Sequence, residues 1–428
     1  MPLCYQSGMS GDTEILSGAY PASTNAGQAD KPRSFARYGV TLILLLAVTT
    51  AFFDRINIAV LFANKDFQND IGVSDPALMG LLMTVFVFSY GASMMVFSIL
   101  GDVLGPRKTL SAIAGILGAV MAFMGTAGSY GPLLFGRAVI GLVEGPQFGT
   151  ATAAVSRVFP PRERGFANAC WTIGSPLGSA IGFPLVIFLV AQYGWRASFY
   201  ALAALNVLVV FPVIVLFLRD RPSHAAQLPG EKKISFAEGF AIFARDPKFW
   251  LLVVYNSGVL TFLWGLNAWL PSYLQEGRHF DLARTGFYSA LPYLMMLVGQ
   301  LALSFIADAT GKRAVICFAS LAMTGVFAFL AAIVPDAVAS AWCIALAAGF
   351  WGGTTPPLFA IGSEIIPGKV AAAGFGIYAG IANAVGSLGP FVIGFLVAHT
   401  GDFTAGLLFL VACCFLSSLA MIPLMRKY

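Results

Sequence analysis

The chain reads as an all-α integral membrane protein, with twelve transmembrane helices in two six-helix pseudo-symmetric halves. Three observations carry that reading. Of 428 residues, 58% are hydrophobic and 11% charged, with mean hydropathy +0.81, whereas a soluble domain carries about 25% charged residues. Apolar segments recur at bilayer-crossing length, without the ten-residue alternation of a barrel strand. A short loop motif also occurs twice, nearly half the chain apart.

Residues 1–36 are polar and rich in Gly, Ser and Ala, with Lys31, Arg33 and Arg37 close to the first apolar segment. They read as a disordered cytoplasmic tail. They do not read as a signal peptide, because the apolar segment that follows is too long and lacks a small-residue cleavage site. Apolar spans then follow at 38–63, 77–99, 109–128, 132–156, 166–191, 196–218, 249–274, 286–306, 314–334, 337–362, 371–398 and 403–425. The longest polar interruption, 219–248, divides them six and six. The expected organisation is a tail (1–36), an N-terminal half (37–218), a cytoplasmic linker (219–248) and a C-terminal half (249–428).

Orientation follows from Lys and Arg in the connections. The tail, the 2–3 loop (Arg107, Lys108), the 4–5 loop (Arg157, Arg162, Arg164), the linker (Arg219, Arg221, Lys232, Lys233, Arg245, Lys248), the 8–9 loop (Lys312, Arg313), the 10–11 loop (Lys369) and the C-terminus (Arg426, Lys427) are basic. Alternate loops hold only Lys65, Arg196, Arg278 and Arg284. This predicts a multi-pass protein of the cell inner (plasma) membrane with both termini cytoplasmic.

The first span carries Asp54 and Arg55 side by side, with Asn57 two positions on. Insertion scales put an Asp or Arg at a helix centre at about +2.5 to +3.5 kcal/mol each, so both call for a partner or a pathway. Adjacent residues point about 100° apart and cannot pair with each other along the helix. In span 4, Arg137 and Glu144 lie seven residues apart, about two turns, and so share a face roughly 10.5 Å apart. Gly145 and Pro146 follow and weaken that helix. The economical arrangement sets span 1 against span 4, so that two acids and two bases nearly neutralise one another around a central cavity. An arginine there offers a planar fork for a carboxylate. A buried acid is drawn toward its neutral form by desolvation and toward its charged form by a nearby arginine. A substrate carboxylate that occupies the arginine would therefore drive proton uptake by the acid. The competing reading is an inert ion-pair cluster that fixes helix register.

The repeated motif is Gly101, Asp102, Gly105, Arg107 and Lys108 between spans 2 and 3, matched by Asp308, Gly311, Lys312 and Arg313 between spans 8 and 9. A basic loop alone would explain the cations but not the duplicated Asp-x-x-Gly. The motif resembles the loop signature of the major facilitator superfamily, with two departures: Ser98 stands at the usual first glycine and Val103 at the usual arginine. The resemblance implies that Asp102, Gly105, Arg107, Asp308, Gly311 and Arg313 gate the conformational change without touching substrate. Glu364, at the end of span 10, is expected to pair with a basic loop residue.

Within that superfamily, further stretches resemble the anion:cation symporter family: Asp54-Arg55-Ile56-Asn57, Gly136-Arg137 with Glu144-Gly145, Trp269-Leu270-Pro271-Ser272-Tyr273, Leu291-Pro292-Tyr293 and Gly380 through Gly386 around Asn383. This resemblance implies import of a small organic anion, a sugar acid or other carboxylate, by proton symport. It implies Asp54 and Glu144 as proton-coupling acids and Arg55 and Arg137 as anion-contacting bases. Tyr90, Asn267 and Asn383 could complete the substrate site, or could instead serve interhelical hydrogen bonding. An exchanger or facilitator without net proton coupling, or a transporter-like sensor, is the alternative.

No phosphate loop, metal-ligand cluster or nucleophile motif appears, so an enzyme is not expected. The six cysteines lack disulfide or metal spacing. No metal and no cofactor are expected, protons serving as the coupling ion. The expected partners are the small organic anion and the lipid bilayer, with no nucleic acid, and the protein is expected to be monomeric.

Overall fold

The computed structural model describes residues 37–97, 100–160, 162–219, 244–366 and 371–428. The expected disordered tail, Ser98, most of the linker (220–243) with Arg221, Lys232 and Lys233, and Lys369 lie outside the described residues. Eleven helices among the described residues are long and apolar enough to cross a membrane. In chain order the spans are α1 (Tyr38–Leu61), α2 (Pro76–Phe97), α3 (Pro106–Gly125), α4a (Tyr130–Glu144) with α4b (Gln147–Val158), α5 (Arg164–Tyr193), α6 (Trp195–Phe217), α7 (Pro247–Gly277), α8 (Leu282–Thr310), α9 (Arg313–Ile333), α10 (Ala337–Ile365), α11 (Gly374–Thr400) and α12 (Thr404–Leu424). Like the tenth span, which is interrupted at Gly353-Thr354, the fourth is in two pieces, and these meet at Gly145-Pro146. Pro146 has no N–H to carry the helical ladder through that point. The break falls one residue after Glu144, the acid buried in mid-span.

Packing repeats with a six-helix period. Within the N-terminal half α1 packs on α5, α2 on α4a and α3 on α6; within the C-terminal half α7 packs on α11, α8 on α10 and α9 on α12. Contacts between halves obey the same rule, α2 meeting α11 and α5 meeting α8, with α1 and α7 touching at the centre. The duplicated loop motif thus marks two copies of one six-helix unit.

Several contacts between the halves lie on the side away from the chain's C-terminus. The ring of Phe62, just past α1, lies 5.2 Å from that of Trp269 on α7. Lys65 and Glu276 pair at 3.8 Å on the same side. Deeper in, Thr84 on α2 donates to the Ser387 carbonyl at 2.6 Å, and Phe183 on α5 stacks on Tyr293 of α8 at 5.5 Å. A small cavity lined by Asn64, Lys65, Ile187, Gln275 and Leu282 sits in this seam.

At the opposite side the loop motif adopts the geometry its glycines permit. Gly105 (φ +90°) starts α3 and Gly311 (φ +67°) ends α8, in backbone regions where a side chain is strained. Four residues before Gly105, Gly101 sits so close to α4b that a Cβ would lie 2.7 Å from the Thr150 Cα, and Arg157 donates to the Gly101 carbonyl at 3.2 Å. The loop between α2 and α3 is therefore seated on the second piece of the broken span.

On the side away from the chain's C-terminus, Asp70 accepts from Trp195 Nε1 at 2.9 Å and pairs with Arg196. Arg196 also donates to the Ala127 carbonyl at 3.3 Å, so one side chain ties three loops together. Hydrogen bonds from Arg196 and Trp195 hold the Asp70 carboxyl below the usual carboxylate range. A depressed native pKa contributes stability above the unfolded value of about 3.9, and that contribution is lost as pH falls through the lower native value. Asp70→Asn should therefore melt at a lower temperature than the parent at pH 7. The gap should close as the pH is taken below the carboxylate range; differential scanning fluorimetry of the purified protein at stepped pH measures it.

Candidate functional site

Span 1 does face span 4. Arg55 Nε donates to Glu144 Oε2 at 2.5 Å, and both side chains are almost wholly buried. The contact fixes the depth of the first-span pair, because Glu144 closes α4a in the middle of its span. Four aromatic rings surround the guanidinium: Phe52 at 4.5 Å, Tyr90 at 4.7 Å, and Phe86 and Phe148 at 5.8 Å from Cζ. Ring faces are electron-rich and stabilise a cation by roughly 0.5–2 kcal/mol each when desolvated. The pair leaves valences open, since Arg55 Nη2 and Glu144 Oε1 have no hydrogen-bond partner among the described residues.

Asp54 turns the other way. Its Oδ2 accepts from Asn206 Nδ2 at 2.8 Å, and the same amide donates to the Leu202 carbonyl at 3.1 Å. Asn206 opens a π-helical turn of α6, Asn206–Val210, an irregularity that occurs frequently at functional sites. Asp54 Oδ1 and both amide atoms of Asn57 are buried without partners among the described residues. Sequence reasoning missed Asn206. Its signal was an amide in the middle of an apolar span, the same signal that marked Asn267 and Asn383.

Arg137 meets no carboxylate within salt-bridge distance among the described residues. It bonds instead to backbone oxygens, to Leu82 at 3.2 Å, Asp54 at 3.4 Å and Arg55 at 3.5 Å, and its Cζ lies 4.4 Å from the Phe86 ring centre. Helical carbonyls have a second lone pair free for such donors. One guanidinium therefore staples α1 and α2 to α4a beneath Arg55.

The remaining predicted residues divide between the two walls. Tyr90 lies between Arg55 and Trp264 of the opposite half, 6.4 Å from the latter, and Phe86 meets the same indole at 5.9 Å. Trp264 Nε1 donates to Asn383 Oδ1 at 3.0 Å, and Asn267 accepts from Tyr293 at 2.5 Å. Asn267 and Asn383 thus hold interhelical bonds in this conformation, and Trp264 and Tyr293 are wall residues that sequence reasoning did not place. Of the gating set, Gly105 and Gly311 shape helix ends, Arg313 pairs with Glu364 at 2.7 Å as expected, Arg107 and Asp308 are exposed, and the Asp102 side chain lies outside what is described.

Three substitutions check this geometry. Asn206→Leu removes the donor to a buried carboxylate and should destabilise the protein by about 1–3 kcal/mol. Adding Asp54→Asn should cost less than the sum of the two single losses, a coupling of about 0.5–3 kcal/mol. Arg137→Lys cannot span three carbonyls with one ammonium and should lower the melting temperature; thermal unfolding of the purified variants reads both.

The comparisons with known proteins agree with this architecture. The Major Facilitator Superfamily model matches residues 44–390. The protein named "Probable sulfoacetate transporter SauU" of Cupriavidus necator is 29% identical over 87% of this chain and 90% of its own. A hexuronate transporter of Bacillus subtilis is 25% identical over 90% of this chain and 94% of its own. Among solved structures, a bacterial homolog of the human lysosomal transporter Spinster, in an inward-facing and unoccupied conformation, superposes with TM-score 0.76 at 18% identity, over 93% of this chain and 98% of that one. With the six-helix repeat, the broken fourth span and the matched family model together, the chain belongs to the Major Facilitator Superfamily and is a multi-pass membrane transporter, not an enzyme.

Proposed function

We propose that the protein is a secondary active transporter that imports a small organic anion, a sugar acid or other carboxylate, together with protons by alternating access. The observation that carries this is the buried Arg55–Glu144 pair with one open valence on each partner. The names of the relatives, transporters of a sulfonated acid and of hexuronates, support an anionic substrate. The distribution of Lys and Arg supports both termini being cytoplasmic and residence in the inner membrane.

In this reading Arg55 is the anion contact. It is held at the centre by Glu144 and lies behind Tyr90, whose other side meets the opposite half. A substrate carboxylate reaching Arg55 competes with Glu144 for the same fork. Glu144 then loses its counter-charge and takes a proton, so that anion and proton cross together. Asp54, held by Asn206 on the next helix, is the second acid. Arg137 sets the position of α1 and thereby of Arg55. The seam at Thr84, Phe183 and Lys65 opens and closes as the halves rock, with the duplicated loops as the gate on the other side.

In proteoliposomes an inward proton gradient should drive uptake. Glu144→Gln should lose that drive while retaining substrate exchange; a mutant with full gradient-driven accumulation would contradict the coupling role. Arg55→Ala should abolish binding, and unchanged affinity would return the pair to a purely structural part. Exchange at the same rate with and without a proton gradient in the parent protein would favour an exchanger instead.

A further inference from the structure

Asp54 and Glu144 are both buried acids, yet they are held by different chemistry. Glu144 meets a guanidinium, Arg55 Nε at 2.5 Å. Asp54 meets an amide, with Asn206 Nδ2 at 2.8 Å from its Oδ2. The charged groups that act on Asp54 are Glu144 and Arg137 on α4a and the adjacent Arg55, whose side chain turns to Glu144. The other spans packed on α1 carry no Asp, Glu, Lys, Arg or His over 77–97, 147–156, 166–193, 197–217 and 249–275. Its one side-chain hydrogen bond among the described residues is therefore to a neutral group.

The second contact of that amide fixes which way it points. Asn206 Nδ2 also donates to the Leu202 carbonyl at 3.1 Å, and a carbonyl can only accept. The nitrogen thus faces both Leu202 and Asp54, with each of its two hydrogens engaged. Packing holds it there: Gly118 on α3 comes so close to this turn of α6 that a Cβ would lie 2.4 Å from Val207 Cγ2 and 3.4 Å from the Asn206 Cβ. Asp54 Oδ2 consequently accepts from Asn206 in either protonation state, as one oxygen of the carboxylate or as the carbonyl oxygen of the acid. The other oxygen, Oδ1, is buried without a partner among the described residues. Asn57, one turn on along the same helix face, is likewise buried with neither amide atom partnered there. Its amide can turn to offer a donor to the bare oxygen or an acceptor to an O–H.

We infer that Asn206 is a positioning residue that directs the proton taken up by Asp54 to Oδ1 and keeps α1 tied to α6 whether or not that proton is bound. This rests on the reading of Asp54 as the second acid and deepens it. The two acids then divide the work. Protonation of Glu144 removes the charge that compensates Arg55, so the link between α1 and α4a weakens. Protonation of Asp54 leaves its hydrogen bond with Asn206 in place. Asp54 carries a proton without loosening α1, and Glu144 is the acid whose titration frees it.

The test is infrared spectroscopy of the full chain, purified and reconstituted in lipid, across a pH titration; it needs no substrate. The carbonyl stretch of protonated Asp54 is the band that disappears in Asp54→Asn, and that of Glu144 the one that disappears in Glu144→Gln. With the proton on Oδ1, the Asp54 carbonyl is Oδ2 and accepts from Asn206, which lowers its stretching frequency. The Asp54 band should therefore move to higher wavenumber in Asn206→Leu and in the smaller Asn206→Ala, while the Glu144 band stays where it is. An Asp54 band at the same position in the parent and both variants would overturn the assignment of Oδ1 and leave Asp54 standing as an acid. Movement of both bands together would report general repacking and overturn the specific role of Asn206. Absence of any band that depends on Asp54 would remove it from the acids of the proposed mechanism, and this inference with it; the Glu144→Gln transport assay tests the rest of that mechanism separately.

Discussion

The Arg55–Glu144 ion pair is the constraint around which the N-terminal half is assembled. A buried charge in a bilayer protein must be compensated locally, and breaking such a pair by removing one partner leaves an uncompensated charge that costs about 3–5 kcal/mol. The pair therefore fixes α1 against α4a at a single register. Its neighbours then follow: aromatic rings from α1, α2 and α4b close around the guanidinium. A second arginine, without a carboxylate of its own, is stabilised by the carbonyl dipoles of the helices it holds together. The break at Gly145-Pro146 lets Glu144 end one helical piece while the next carries the seat for the loop between α2 and α3.

The C-terminal half performs a different task with the same topology. Its embedded polar groups are uncharged, and among them amides, an indole and a phenol bond across helices, Trp264 to Asn383 and Tyr293 to Asn267. Neutral groups of this kind cost less to bury than charges and can exchange partners without leaving a net charge behind. One half thus carries the embedded charges, while the other presents an uncharged wall. The two meet through aromatic contacts at Tyr90, Phe86 and Trp264 and through the Phe183–Tyr293 stack. These contacts involve few hydrogen bonds, which suits an interface that must part and re-form.

Much of this was legible in the order of residues. Span count, the six-and-six division and the duplicated Asp-x-x-Gly follow from hydropathy and self-similarity, because a bilayer imposes length and apolarity on every crossing. The pairing of span 1 with span 4 was likewise readable, since adjacent Asp54 and Arg55 cannot satisfy each other and Arg137 and Glu144 share one helix face. Less legible was which acid met which base. Four charges on two helices allow several neutral pairings, and side-chain rotation decides between them.

By itself, then, the sequence determined a twelve-span transporter with its embedded charges in one half and its loop motif duplicated, because those properties depend on composition and local spacing. Only the tertiary structure decided that Arg55 pairs with Glu144, that Asp54 turns to Asn206 on α6, and that Arg137 serves the backbone. Those outcomes rest on contacts between residues 54 and 206 or 55 and 144, brought together by helix packing. No local pattern encodes the rotation of one helix about its axis relative to another.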